Sequence, residues 1–176
     1  MRATNITTVA HKWLLNYLSP TSVVVDATTG SGNDTLFLAK HCLKVFAFDI
    51  QEEALMLAKV KTKDYSNVQY ICDSHQYLNK YINELIDLII FNLGYWPKGN
   101  KNIITKPLST FAALQQAVLL LKEGGLVCIT FYLGHIGGQD EHTYVTNRLS
   151  ELSLTVIKTY TYPNKYNAPI LYLLQK

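Results

Sequence analysis

Apolar positions along the chain switch repeatedly between two periods. Ile6, Val9, Ala10, Trp13, Leu14 and Tyr17 recur at three- and four-residue spacing, which predicts an amphipathic helix ended by Ser19-Pro20. Residues 22–25 form a short apolar run bounded by turn residues, a buried strand. Residues 33–40 begin a helix, 44–49 (KVFAFD) form a second strand, 51–61 a helix and 67–71 a third strand. A short helix is expected at 75–81 and a fourth strand at 85–92, followed by a loop with glycine and lysine up to Pro107. A helix over 109–121 is stopped by Glu123-Gly124-Gly125. A fifth strand at 126–132, a helix at 141–152 and two strands at 155–161 and 170–174 complete the pattern.

Strands alternating with helices predict a parallel sheet covered on both faces. The last two strands are separated only by YPNKYNAP (162–169), so they pair as an antiparallel hairpin. The predicted class is α/β, a seven-stranded and mostly parallel Rossmann-like sheet with a C-terminal antiparallel hairpin. This arrangement is typical of class I methyltransferases that use S-adenosylmethionine (SAM). No repeat, linker or low-complexity tract interrupts the 176 residues, so one domain over 1–176 is expected.

Composition narrows the picture modestly. With 48% hydrophobic and 16% charged residues the chain is expected to fold around a real core. A net charge of +3 permits an RNA partner without requiring one. Cys42, Cys72 and Cys128 are odd in number and form no CxxC pair, which argues for reduced, mostly buried thiols and against a zinc site. No metal is expected. No run approaches the roughly 20 apolar residues of a membrane span. The first five residues are polar and no signal peptide is evident, so a cytoplasmic protein without a membrane partner is expected.

The chemistry begins at VVVDATTGSGNDT (23–35), a strand, a glycine loop and a helix start. The dinucleotide fingerprint G-x-G-x-x-G needs a third glycine where Thr35 stands, and a P-loop needs a lysine that is absent. The SAM pattern D-x-G-x-G-x-G fits better: Asp26, Gly30 and Gly32 match, with Thr28 replacing the first glycine. Glycine lets a ligand's amino-acid moiety approach bare backbone, and a carboxylate is favoured near a helix N-terminus. Asp49 ends the second strand, where an acid can accept from both hydroxyls of a ribose. Asp73, Ser74 or His75 follows the third strand, where this fold usually touches adenine. Taken singly, each residue also fits a tight turn, an ordinary strand-end acid or a helix cap.

The fourth strand runs into FNLGYWPKGNK (91–101), placed like the N/D-P-P-Y element of amino methyltransferases. Asn92 and Tyr95 fit that element, and Leu93-Gly94 depart from its two prolines. Methyl transfer needs a nitrogen lone pair held in line behind the methyl group. A carboxamide oxygen can accept the amine N–H groups and aim that lone pair. Tyr95 or Trp96 can stack on a base, although a turn asparagine and a packed aromatic pair fit the same residues. No cysteine lies in this loop, which argues against cysteine-assisted methylation of a pyrimidine carbon.

At this point the chain resembles a known family. DATTGSGNDTLFLA, FAFDIQ, FNLGYWPKGNK, Leu108-Ser109-Thr110, FYLGHIGGQDE and YTYPNKYNAPI are similar to segments of bacterial tRNA methyltransferases. Those enzymes convert wobble 5-aminomethyl-2-thiouridine to 5-methylaminomethyl-2-thiouridine and are often labelled rRNA methylases. The chain departs from them at Ser31, Asn33, Lys98 and Asn100. The resemblance implies SAM as donor, the tRNA anticodon stem-loop as acceptor and a homodimer. It implies that Ser31, Asn33, Asp34, Asp49, Gln51, Ser74 and His75 line the SAM site. It also implies that Asn92, Gly94 and Tyr95 face the transferred methyl. His135, in the loop after the fifth strand, orients substrate or takes a proton, or else caps a helix. Trp96, Lys98, Lys101, Tyr132, Asn164 and Lys165 are the substrate-side candidates, with Lys106 as a further phosphate contact.

Rival readings are an NAD(P) oxidoreductase, a SAM enzyme acting on rRNA or on a small-molecule or protein amine, and an RNA-binding module without turnover. Fold alone does not separate them.

Overall fold

The computed structural model describes residues 5–100 and 102–176. Helix α1 (Ile6–Leu14) starts at Asn5, whose side chain accepts from the Thr7 N–H. Then follow β1 (Val23–Asp26), α2 (Asn33–His41), β2 (Lys44–Asp49), α3 (Glu52–Lys61) and β3 (Val68–Cys72). After a 3-10 turn (His75–Lys80) come β4 (Ile86–Leu93), α4 (Pro107–Leu120), β5 (Leu121–Phe131) and α5 (Gly138–Thr146). A short 3-10 turn (Leu149–Glu151) leads to β6 (Thr155–Thr161) and β7 (Ile170–Gln175).

The seven strands form one sheet in the order β3-β2-β1-β4-β5-β7-β6. β1 pairs in parallel with both β2 and β4, and β4 with β5, while β7 runs antiparallel to β5 and β6. The predicted class and the closing hairpin are therefore both observed. The order reverses between β1 and β4, so the carboxyl ends of these strands open the crevice where such sheets bind ligands.

Period-two alternation divides the core. Val23, Val25, Phe46, Phe48, Ile89 and Phe91 point to the face covered by α4 and α5. Val24, Val45, Leu88 and Ile90 point to the face covered by α1 and α2, where Ile6, Ala10, Leu14 and Leu38 meet them. Each fully buried side chain of this kind contributes about 1.5–3 kcal/mol.

Two boundaries differ from the expected ones. Glu123-Gly124-Gly125 does not stop α4, which ends at Leu120; these residues lie inside β5. Leu121 pairs with Ile86 and Leu126 with Leu88, so the segment between them bulges out of the ladder, with Gly124 at φ +76°. The helix expected at 141–152 begins earlier, at Gly138, and stops at Thr146. Gly137 adopts a left-handed conformation that turns the chain into α5. Val145, Leu149 and Leu152 keep helical spacing across the break, so the apolar pattern could not reveal it. Cys42 and Cys128 are buried as expected, whereas Cys72 is exposed.

Candidate active site

The loop after β1 is held from below. Asp26 is fully buried; its carboxyl accepts from the Thr28 N–H at 3.2 Å and the Thr35 hydroxyl at 2.6 Å. Burial, reinforced by the nearby Asp34 charge, raises its pKa well above the usual carboxylate range. Gly30 (φ +49°) gives its N–H to Asp49 at 2.8 Å, and Gly32 (φ +73°) leads into α2. A Cβ on Gly32 would lie 2.7 Å from Ala58 of α3, so that glycine serves helix packing. Asp26 and Gly32 were both expected at the ligand; they lie behind the loop instead and do not line the cavity.

A cavity of about 700 Å³ opens above the carboxyl ends of the strands. Gly30, Ser31, Asn33 and Asp34 line it from the loop and α2, and Asp49, Gln51, Ser74 and His75 from the ends of β2 and β3. Asn33 is exposed at the rim, where the Lys61 ammonium donates to its Oδ1. Asp49 accepts from the Gly30 and Gln51 N–H groups, so it clasps the loop as well as facing the cavity. Burial raises its pKa against the lowering effect of those two bonds. His75 is buried and its pKa is lowered to about 4 by desolvation. As neutral imidazole its Nδ1–H donates to the Ala27 carbonyl at 3.2 Å, which leaves a buried Nε2 lone pair without a partner.

Asn92, Gly94, Tyr95, Trp96, Lys98, Tyr132 and His135, from the end of β4, the loop after it and the loop after β5, line the same cavity. The Asn92 N–H donates to Thr28 Oγ1 at 2.7 Å, and its side-chain NH2 donates to Asp34. Gly94 has φ +144°, and a Cβ there would come within 3.0 Å of His135 Nε2. His135 Nδ1 donates to the Ile136 carbonyl at 2.9 Å, and its Nε2 is buried without a partner. Tyr95 meets the His135 ring edge-on. Gly94 exchanges hydrogen bonds with Thr105, whose hydroxyl donates to the buried Glu141 at 2.7 Å. This ring closes the neck of the loop after β4.

Trp96 was expected to meet an acceptor base. It lies instead over the glycine loop, donating from its indole N–H to Ser31 Oγ at 2.9 Å. Asn164 and Lys165 are exposed on the β6–β7 turn and do not line the cavity; Asn167 and Pro169 of that turn do. Lys101 lies outside the described residues. No group of three or more His, Cys, Asp or Glu residues that could hold a metal occurs among the described residues. No helix among them is long and apolar enough to cross a membrane.

Residues 45–175 match the model of the family described as "Putative rRNA methylase". The chain belongs to this family. The chloroplastic tRNA (mnm(5)s(2)U34)-methyltransferase of Arabidopsis thaliana is 36% identical over 151 residues, covering 77% of this chain. The chain spans 55% of the length of that relative. A Streptococcus mutans structure, described as a "putative methyltransferase" in complex with SAH, is similar at TM-score 0.89 and 37% identity, covering 98% of each chain. An rRNA methylase from Streptococcus thermophilus is similar at TM-score 0.81 and 33% identity, covering 100% of this chain and 99% of that one.

Within this rRNA methylase family member, α1 also reaches the site, which the apolar pattern did not reveal. Thr7 lines the cavity and hydrogen-bonds Tyr132, and His11 Nε2 lies 2.6 Å from Asp34 Oδ1. The available signal was their i, i+4 spacing beside the buried stripe of Ile6, Ala10 and Leu14. Thr28 was likewise seen only as a replaced glycine, whereas its hydroxyl fixes the backbone of Asn92.

Proposed function

We propose that this chain is a SAM-dependent methyltransferase that N-methylates the 5-aminomethyl group of wobble 5-aminomethyl-2-thiouridine in tRNA, giving 5-methylaminomethyl-2-thiouridine. The reading is carried by one observation: the glycine loop and Asn92 line a single cavity. The names of the Arabidopsis relative and of the SAH-bound neighbour support it.

The residues present fit SAM. Gly30 and Ser31 line the cavity beside the start of α2, Asp49 faces it, and His75 Nε2 offers an unpartnered acceptor to a donor-bearing base. When bound, SAM supplies a methyl group on a sulfonium: the amine lone pair forms the new N–C bond while the C–S electron pair returns to sulfur. The chain's part is placement. Asn92 Oδ1 accepts an N–H of the neutral amine and aims its lone pair. Primary amines are mostly protonated near neutral pH, and a desolvated site beside a positive charge favours the neutral form. After transfer the nitrogen carries a positive charge and releases a proton, for which His135 Nε2 supplies a lone pair. Tyr95 and Tyr132 border the acceptor half.

The anticodon stem-loop, a second copy of the chain and a cytoplasmic setting belong to the same proposal. Lys98 at the rim and Asn164 and Lys165 on the hairpin turn are its phosphate contacts. The test is nucleoside mass spectrometry of tRNA bearing 5-aminomethyl-2-thiouridine after incubation with protein and SAM. A one-methyl mass gain on that nucleoside, dependent on both, is expected. A gain found only on rRNA in a parallel incubation would replace the tRNA reading.

A further inference from the structure

Asp34 was expected to hold the cofactor, and its contacts point to a different role. It is the second residue of α2, 8% exposed, and its two oxygens face two different elements. Oδ2 accepts from the side-chain NH2 of Asn92 at the end of β4. Oδ1 lies 2.6 Å from His11 Nε2 on α1. His11 is fixed in turn, its ring stacked on Phe37 with centroids 3.9 Å apart and planes within 5°.

A carboxylate only accepts hydrogen bonds. The face of the Asn92 carboxamide turned toward Asp34 must therefore be the NH2, because the reverse would press two acceptor oxygens together. Oδ1 is then directed away from Asp34, and it has no hydrogen bond from the described residues. A charge-assisted bond to the NH2 is roughly twice as strong as a neutral one, and it withdraws the proton side of the amide, leaving the oxygen a better acceptor. An isolated asparagine would flip between two orientations, one of which presents N–H groups to the amine and repels it.

We propose that Asp34, backed by His11, is the positioning residue of the acceptor site, turning the Asn92 carboxamide so that its oxygen faces the incoming amine. This rests on the role given to Asn92 above. The cofactor half keeps its own contacts through Gly30, Asp49 and His75, so Asp34 acts on the transfer step and not on SAM affinity. Asp34→Asn can keep its oxygen on the Asn92 NH2 while it loses the charge and turns an NH2 toward His11 Nε2, which can accept as the neutral ring, whereas Asp34→Ala loses the orientation altogether.

The experiment compares wild type, Asp34→Ala, Asp34→Asn, His11→Ala, Asn92→Ala and the Asp34→Ala/Asn92→Ala double variant. SAM affinity is read by calorimetry, and kcat and KM with tRNA bearing 5-aminomethyl-2-thiouridine. Asp34→Ala is expected to lower kcat roughly 100-fold, the scale at which a misplaced group costs rate. Its SAM affinity should hold, Asp34→Asn should recover part of kcat, and His11→Ala should fall between them. In the Asn92→Ala background the Asp34→Ala change should cost nothing further, since the two residues act as one unit. A loss of SAM affinity with kcat kept at saturation, or losses that multiply in the double variant, would overturn the proposal. The side-chain amide resonance of Asn92, identified by its disappearance in Asn92→Ala, gives a readout that needs no substrate. It should shift in Asp34→Asn and His11→Ala, and an unmoved resonance in both overturns the proposal. Wild type that leaves this tRNA unmethylated overturns the substrate reading instead, with the resonance still deciding the role of Asp34.

Discussion

The indole N–H of Trp96 donates to Ser31 Oγ across 65 residues of chain, bringing the loop after β4 down onto the loop after β1. Asn100 adds a second tie, its N–H on Gln51 Oε1 at 3.0 Å. Gly99 is needed between them, because a Cβ there would fall 2.1 Å from a Trp96 ring carbon. Trp96 thus covers the glycine-loop side of the cavity, where the proposed function puts SAM. Trp96→Phe removes one hydrogen bond, worth about 1 kcal/mol, so SAM affinity should fall roughly fivefold. Calorimetry checks this directly. Trp13 and Trp96 are the only tryptophans, so the emission change on adding SAM should also be lost in the variant. Unchanged affinity and an unchanged emission response would return Trp96 to the acceptor side.

Gly32, at the N-terminus of α2, packs against Ala58 of α3. Its left-handed backbone costs a side-chain-bearing residue about 1–2 kcal/mol. A methyl there also meets the Cα of Ala58 at 2.7 Å, where helix backbone must move. Overpacking of this kind costs about 1–3 kcal/mol, so Gly32→Ala should lose about 3 kcal/mol in urea denaturation. Ala58→Gly removes one of the two atoms struck. The double variant should therefore lose less than the sum of the single variants, whereas additive losses would assign the whole cost to backbone strain.

Much of this was legible in the sequence for a definite reason. The central strands β1, β2 and β4 are nearly continuous apolar runs between turn residues, so they stand out from the helices by length and pattern, and β2 and β6 fall on the expected residues. The glycine loop and Asp49 were legible because only certain residues tolerate those backbone positions and strand ends. What stayed hidden was long-range and polar. Nothing in the local sequence around His11 says that it meets Asp34, because the contact spans 23 residues and depends on how α1 crosses the sheet. The contacts of Asp26 were hidden for the opposite reason. A strand-end acid looks the same whether it faces a ligand or folds back to hold Thr28 and Thr35.

His75 makes stability depend on acid. Its folded pKa of about 4 lies below the ordinary 6.5, so between these values the unfolded chain binds a proton that the folded chain refuses. Stability from this residue is therefore complete above pH 6.5 and falls as the pH drops toward 4. Between pH 7 and pH 5 the loss is about 2 kcal/mol for a group this buried. His75→Gln does not titrate and should lose about 2 kcal/mol less over the same interval. Denaturation of both proteins at the two pH values measures it, and parallel losses would show that His75 is not the group responsible.

Thr105 joins the acceptor loop to α5 through both functions of its hydroxyl. The oxygen accepts the Gly94 N–H at 2.8 Å and the proton goes to Glu141 Oε2 at 2.7 Å. Glu141 is 1% exposed and also receives the Thr110 hydroxyl at 2.7 Å. Thr105→Val keeps the shape but strands the Gly94 N–H at the cavity wall, at a cost of about 1–3 kcal/mol. Glu141→Gln is milder, because the Thr110 hydroxyl can rotate to accept from the new NH2 while Thr105 keeps its acceptor. Thr105→Val should therefore speed hydrogen exchange at the Gly94 amide and lower turnover on tRNA, with SAM affinity unchanged. Glu141→Gln should leave that amide protected. If Glu141→Gln exposes Gly94 as fully as Thr105→Val does, the neck of the loop is held by the carboxylate charge and not by the threonine hydroxyl.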